Sequence, residues 1–101
     1  MTTVELTRFR VPPDRAQELL DARPGMIGAF RTDRHGFLGA QLVRIDDEEW
    51  LDIVWWAVAD DLDASQAKGG NLPAVQAFFA PISELLSSER GALLDATAQP
   101  W

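Results

Sequence analysis

Three of the four tryptophans in this 101-residue chain fall within eight residues, "WLDIVWWA", from Trp50 to Ala57. The run before it, "FLGAQLVRI", is also apolar, and the acidic tetrapeptide "DDEE" at 46–49 joins the two runs. Two apolar runs on either side of a short polar loop predict an antiparallel β-hairpin. Successive strand residues point to opposite faces of a sheet, and neither face here carries the polar side chains that suit water. The hairpin therefore needs apolar cover on both faces.

A loop centred on the bond between Asp47 and Glu48 predicts the register of this hairpin, and with it the residues that share a face. One face would carry Phe37, Gly39, Gln41, Val43, Ile45, Trp50, Asp52, Val54 and Trp56. The opposite face would carry Leu38, Ala40, Leu42, Leu51, Ile53, Trp55 and Ala57, with Arg44 near the loop as its only charged member. The sequence leaves open which of these faces meets the helices.

Residues before the hairpin predict a strand and then a helix. The stretch 4–11 alternates, with Val4 and Leu6 on one face and Phe9 and Val11 on the other. A helical pattern follows from position 14, and a proline inside it, at position 24, predicts one bent helix or two short ones.

After the hairpin, the acidic "DDLD" at 60–63 begins a predicted short helix that stops near Gly69. Asn71 is the expected N-cap of a further helix, "LPAVQAFFAPI", and a last strand is expected within 85–95. The order predicts a single α+β domain over residues 1–101, a ferredoxin-like βαββαβ fold with a four-stranded antiparallel sheet.

Helices would cover one face of this sheet, so the other apolar face needs a second cover. Another copy of the same sheet is the simplest one, which predicts a homodimer whose two sheets close into a dimeric α/β barrel.

Composition excludes several classes of function. A net charge of −7 with scattered basic residues argues against nucleic acid and anionic membrane as partners. The absence of cysteine, of a signal-peptide pattern and of a long apolar run predicts a cytoplasmic protein. The single histidine, His35, lies in a predicted turn, so haem, a metal site and a serine triad are not expected.

Asp52 stands among tryptophans, where a carboxylate is costly to bury unless it is hydrogen-bonded. Gln41, Arg8 or Arg10 are the expected partners. In the predicted register, Gly39 opposite Trp56 either makes room for the indole or leaves a gap beside it. Such a gap, lined by Trp56, Phe37 and Gln41 and ended by an acid, would suit a small hydroxylated aromatic ligand.

The stretch "WLDIVWWA", the acidic helix start and "VQAFFAPI" together resemble the antibiotic biosynthesis monooxygenase family of dimeric α+β barrel proteins. The resemblance implies a homodimer with one pocket per subunit between sheet and helices. In some members it implies oxidation of phenolic or anthrone-like compounds by O₂ without metal or flavin. A strand asparagine and a tryptophan four residues later line the pocket in those members, and they match Asp52 and Trp56.

The carboxylate at position 52 departs from that pattern, because an ionised aspartate accepts hydrogen bonds but cannot donate them. Asp52 could serve as a base that removes a phenolic proton, if burial raises its pKa. The expected catalytic residues are Asp52 and Trp56, without any cofactor or metal. The expected substrate-binding residues are Phe37, Gln41, Trp50, Phe78 and Phe79.

Three functions remain open at this point. The first is a cofactor-independent monooxygenase that oxidises a small aromatic compound with O₂. A second is a non-catalytic homodimer of the same fold that binds a small aromatic molecule. The third is a structural dimer whose tryptophans serve only as core.

Overall fold

A computed structural model describes residues 1–101. It has the predicted α+β architecture, with strands where the sequence alternates and helices where it has a helical period. Its elements are β1 (Thr3–Arg10), α1 (Ala16–Asp33), β2 (Phe37–Arg44), β3 (Glu49–Trp56), α2 (Ala59–Lys68), α3 (Pro73–Phe79) and β4 (Glu84–Ala92). The four strands form one antiparallel sheet in the order β2-β3-β1-β4. The ferredoxin-like fold class is thereby confirmed. None of the helices combines the length and the apolar character needed to cross a bilayer.

The helix α1 runs without interruption through Pro24, so the alternative of two short helices is wrong. Proline removes the hydrogen bond to the carbonyl four residues earlier, which is that of Leu20. Leu20 is 42% exposed, which places it on the solvent side of α1. The break therefore costs little there, and the buried side of α1 stays regular.

The two later helices begin by different means. Asp60 and Asp61 occupy the first turn of α2, and Gly69, with φ of 55°, ends that helix as predicted. Asn71 is not the N-cap of α3; Leu72 holds that position. The side chain of Asn71 instead accepts a hydrogen bond from Arg34 Nη2 at 2.9 Å, which engages its carbonyl oxygen elsewhere.

The predicted hairpin register is wrong by one residue. Asp52 lies opposite Leu42 rather than Val43, and Gly39 lies opposite Trp55 rather than Trp56. The cause is a shorter turn than expected, because Ile45 N–H donates to the carbonyl of Glu49. Since faces alternate, the shift moves the residues at 39, 41, 43 and 45 away from the face of Asp52. Phe37 keeps its predicted face because a bulge at position 38 restores the alternation.

The helices cover the face that carries Trp50, Asp52, Val54 and Trp56, here called the inner face. Residues of β1 and of all three helices complete the core on this side. The buried cluster comprises Phe9, Val11, Ala16, Leu19, Met26, Phe30, Trp50, Val54, Trp56, Leu62, Val75 and Phe78. Most of the chain's aromatic surface is thereby removed from water on the helix-covered side.

The opposite, outer face of the sheet is apolar as well, and the chain's own C-terminal tail covers part of it. Trp101 packs against Trp55 with ring centroids 6.2 Å apart, and Gln41 Nε2 donates to the carbonyl of Pro100. Gly39 makes this contact possible, since a Cβ built there would lie 2.2 Å from the Cβ of Trp101. The space at Gly39 therefore serves Trp101, and neither a ligand nor the Trp56 indole.

We expect Gly39→Ala to displace the tail from the outer face and to lower the free energy of unfolding by about 1 kcal/mol, as overpacking does. Gly91→Ala is the matched control, because a Cβ at that strand position meets nothing within 4 Å. Urea denaturation measures the change in each variant. Removal of Trp101 should abolish the cost of Gly39→Ala, and a cost that persists would show that another contact is responsible.

Candidate functional site

A cavity of about 490 Å³ lies between the inner face of the sheet and the helices α1 and α3. Its apolar wall is formed by Phe9, Met26, Phe30, Val54, Phe78, Phe79, Ile82 and Leu85. Its polar groups come mainly from strands, namely Glu5, Thr7, Asp52, Ser83, Glu84 and Ser88. A largely apolar cavity with a few convergent polar groups is typical of a small-molecule site.

Asp52 reaches this cavity from β3 and is held by an arginine from the helix above. Arg23 donates from Nη1 to Oδ2 at 2.7 Å and from Nη2 to Oδ1 at 2.8 Å, which is a bidentate pair. The two side chains are only 13% and 12% exposed. Arg23 also lies over the ring of Phe78, 5.1 Å from its centroid. The pair thus joins β3, α1 and α3 at one edge of the cavity.

Neither arginine proposed as the partner of Asp52 contacts it. Arg8 instead pairs with Glu49, and Arg10 pairs with Glu48 and Glu84. Both arginines lie on the outer face of the sheet, because Phe9 between them on β1 points inward. Gln41 also faces away, as the corrected register requires. The expected partners of Asp52 were therefore wrong, and Arg23 takes their place.

A second carboxylate, Glu5 on β1, enters the same cavity and forms no ion pair. Its Oε1 accepts a hydrogen bond from the indole Nε1 of Trp56 at 3.1 Å. Burial raises the pKa of Glu5, against the lowering effect of the hydrogen bonds from Trp56 and Gln66, and the charge of Asp52 adds a smaller rise. Glu5 lies opposite Val54, and Asp52 lies two residues earlier on β3. The two acids are diagonal neighbours on the inner face.

The structure brings only part of the predicted site together. Asp52, Phe78 and Phe79 line the cavity. Trp56, with no exposed surface, and Trp50, at 3%, lie in the core outside the cavity wall. Trp56 is connected to the cavity through its hydrogen bond to Glu5.

Two of the predicted binding residues lie away from the cavity. Phe37 packs against Phe30 and Trp56, with ring centroids 5.6 and 5.7 Å away, and it does not reach the wall. Gln41 lies on the outer face, where it contacts the tail. Nowhere in the chain do three or more histidine, aspartate or glutamate side chains form a group that could hold a metal ion.

Sequence reasoning missed Glu5 and Arg23. The signal for Glu5 was available, because a residue four positions before the inward-facing Phe9 on one strand shares its face. The predicted alternation of 4–11 therefore already placed this carboxylate on the face of Phe9, although the sequence did not show which face lies under the helices. A signal for Arg23 was also available, because position 23 lies seven residues after Ala16, four after Leu19 and three before Met26, on the buried stripe of α1. The expected interruption at Pro24 obscured this stripe.

A comparison with protein families finds that the family model described as "Antibiotic biosynthesis monooxygenase" matches residues 2–81. The chain belongs to the antibiotic biosynthesis monooxygenase family. A search among curated proteins finds no match. The family match covers β1 through α3, and so it includes Glu5, Arg23, Asp52 and Trp56.

Solved structures of similar fold extend this comparison. SnoaB, a cofactor-independent oxygenase from Streptomyces nogalater, is 25% identical, with 99% of this chain and 98% of that chain covered and a TM-score of 0.61. Rv0793 from Mycobacterium tuberculosis is 21% identical, with coverage of 97% and 100% and a TM-score of 0.65. A protein from Chloroflexus aurantiacus, provisionally named an antibiotic biosynthesis monooxygenase, is 15% identical, with coverage of 97% and 98% and a TM-score of 0.70.

We expect Arg23→Met to lower the free energy of unfolding by about 3 kcal/mol, because it leaves the Asp52 carboxylate without its counter-charge in a nearly buried place. Arg31→Met on the exposed side of the same helix is the matched control. Chemical denaturation measures both variants. The double variant Arg23→Met/Asp52→Leu should recover much of the loss, and equal losses in the single and double variants would contradict a charge effect.

The raised pKa of Glu5 predicts a stability that depends on pH. Between the unfolded and folded pKa values the native state binds the extra proton, so stability falls as pH rises through that window and stays low above it. Glu5→Gln keeps the acceptor for Trp56 but does not titrate. We therefore expect the free energy of unfolding of Glu5→Gln, minus that of the wild type, to increase from pH 4 to neutral pH. Urea unfolding at each pH measures this difference. Parallel pH profiles of the two proteins would contradict a raised pKa.

Proposed function

We propose that this protein is a cofactor-independent monooxygenase that oxidises a small hydroxylated aromatic compound, phenolic or anthrone-like, with O₂. The observation that carries the proposal is the apolar, partly aromatic cavity with the neighbouring carboxylates of Glu5 and Asp52 on its strand wall. Family membership supports the reaction type, as does the likeness to the oxygenase SnoaB.

The cavity fits the demands of such a substrate. Phe9, Phe30 and Phe78 present ring surfaces on which a planar aromatic molecule can pack. The polar edge of the substrate would then face Asp52 with its paired Arg23, and Glu5 beside them. A hydroxyl group donates to a carboxylate, which matches the acceptor character of this edge.

The reaction on an anthrone can be balanced with O₂ alone. Loss of a proton to a base in the cavity leaves an electron-rich carbanion, which transfers electrons to O₂ and forms a carbon–oxygen bond. The methylene group loses both hydrogens and becomes a carbonyl with one oxygen atom. The second oxygen atom leaves as water with those two hydrogens. Four electrons pass from carbon to O₂, and no other reductant is needed.

The contributions proposed for the predicted residues differ with their positions. Asp52 would meet the polar edge of the substrate, and Phe78 and Phe79 would pack against its ring. Trp56 would act through Glu5 as a positioning residue, since its indole donates to that carboxylate. Trp50 and Phe37 would support the wall from the core behind it.

We also propose that the chain acts as a homodimer in which the outer faces of two sheets cover each other. Val4, Leu6, Leu51 and Ile53 on that face are only half-buried, and Val43 is 39% exposed. An apolar sheet face of this kind is favoured at the interface of a symmetric dimer. Sedimentation velocity of the purified chain tests this assembly.

Oxygen uptake by the purified protein, across a panel of anthrones, hydroquinones and phenols, tests the activity. We expect uptake with at least one of these compounds, and a loss of about tenfold or more in Trp56→Phe, which removes the donor that orients Glu5. Trp55→Phe is the matched control, because this neighbouring tryptophan lies on the outer face and should leave uptake unchanged.

Asp52→Asn separates a polar contact from a proton acceptor at that position. An amide still meets the edge of the substrate, and we expect it to alter KM more than kcat. No uptake with any compound, combined with protection against thermal unfolding by one of them, would instead identify a non-catalytic binding protein.

A further inference from the structure

We propose that Glu5, rather than Asp52, is the group in this cavity that accepts the proton of the bound ligand, and that the cavity selects ligands that enter as neutral hydroxyl compounds. This inference rests on the proposed function for the kind of ligand. It does not require that the ligand be oxidised, because it concerns how the hydroxyl group is bound and deprotonated.

Asp52 is poorly suited to accept a proton. Both of its oxygens already accept hydrogen bonds from Arg23, at 2.7 and 2.8 Å. Protonation would replace a charge-assisted bidentate pair by a neutral acid beside a cation in a nearly buried place. The stacking of Arg23 on Phe78 further limits where the guanidinium can move. The pair therefore leaves neither oxygen of Asp52 free of a strong hydrogen-bond donor.

Glu5 is free of such a pair. Arg90, the cation of β4 opposite Glu5, donates to Asp63 at 2.7 Å and to Gln66 at 3.0 Å on α2 rather than to Glu5. Its charge lowers the pKa of Glu5, but less than burial raises it. Arg34 at the end of α1 acts on Glu5 only at longer range, since its own donors serve Ser65, Gly69 and Asn71.

The neighbours of Glu5 set its basicity. The indole of Trp56 binds one of its oxygens, and burial moves its pKa upward, toward the range where a carboxylate is an effective general base. An unpaired acid whose pKa is raised inside a cavity is a common mark of a proton-transfer group. Asp52, the diagonal acid neighbour, adds to this effect.

The proton transfer itself is simple. The O–H bond of the ligand breaks, its electron pair stays on the ligand oxygen, and Glu5 becomes a neutral carboxylic acid. The new negative charge on the ligand replaces the one lost from Glu5, so the net charge in the cavity does not change. A ligand that enters as an anion would instead place its charge beside Glu5 and Asp52, and Arg23, the cation in contact with Asp52, already uses two donors on that carboxylate. Ligands that carry a carboxylate should therefore bind more weakly than neutral hydroxyl compounds.

Binding of 4-nitrophenol tests this inference without any oxidation, because its absorbance distinguishes the phenol from the phenolate. Titrations under anaerobic conditions would be made across the range from pH 4 to 9. In the wild type we expect affinity to rise as Glu5 ionises and to fall as the free phenol ionises. Glu5→Gln should remove the acid limb of this profile and lower the affinity at its maximum roughly tenfold.

Three further variants identify the group responsible. Glu5→Asp keeps a carboxylate and should retain an acid limb. Glu49→Gln, a glutamate on the outer side of β3 that pairs with Arg8, is the matched control and should keep the wild-type profile. Asp52→Asn should also keep the acid limb, and far-UV circular dichroism verifies that each variant is folded. An acid limb that survives in Glu5→Gln, or one that vanishes only in Asp52→Asn, would overturn the inference.

The oxygen-uptake assay separates this inference from the proposed function. If uptake occurs, Glu5→Gln should lower kcat/KM by about 10²- to 10⁴-fold, as expected for loss of a general base. Uptake that is unaffected by Glu5→Gln would overturn the inference and leave the monooxygenase proposal in place. An acid limb of 4-nitrophenol binding that depends on Glu5, without uptake of any compound, would support the inference and overturn the monooxygenase proposal. Failure of 4-nitrophenol and of every phenol in the panel to bind would overturn both.

Discussion

The ion pair between Asp52 and Arg23 is the interaction on which the architecture around the cavity depends. A carboxylate on the inner face of a sheet among tryptophans is tolerated only with a partner that neutralises it. That partner comes from the middle of α1 and touches Phe78 of α3 on its way. One arginine thus connects the sheet with both helices that cover the cavity, α1 and α3.

The two acids of the inner face show how environment divides chemical roles between like side chains. Asp52 has a guanidinium on both oxygens and so is held in one orientation. Glu5 has an indole N–H, apolar surroundings and no counter-ion, and so its protonation state can change with its surroundings. Enzymes that use two carboxylates often separate their properties in this way. In this chain the division follows from which helix residue happens to lie above each strand position.

Much of the fold could be predicted from the sequence, because it depends on local patterns. The hairpin itself, the alternation of β1 and the acidic start of α2 all follow from local patterns that the structure confirms. The register could not be obtained in this way, since one hydrogen bond at Ile45 and one extra residue at position 38 decide it. A one-residue error then transferred Gln41 to the wrong face and, with it, the expected partner of Asp52.

The candidate site was harder to predict than the fold for the same reason. Asp52, Phe78 and Phe79 lie at the cavity because each belongs to a strongly patterned element. The link from Arg23 to Asp52 spans 29 positions in sequence and depends on the rotation of a helix about its axis. The period of α1 places Arg23 on the stripe of Leu19 and Met26, but it does not show which strand residue lies beneath that stripe. The alternation of β1 likewise groups Glu5 with Phe9 without showing what lies above them.

The strand β2 contains a bulge between Phe37 and Gly39. Because Leu38 has no partner on β3, Phe37 and Ala40 both face the core although they are three positions apart. Loss of Leu38 alone would leave a regular strand in which Phe37 is adjacent to Gly39 and still lies opposite Trp56, on the inner face. The bulge therefore adds one residue to β2 without changing which side chain lies opposite Trp56.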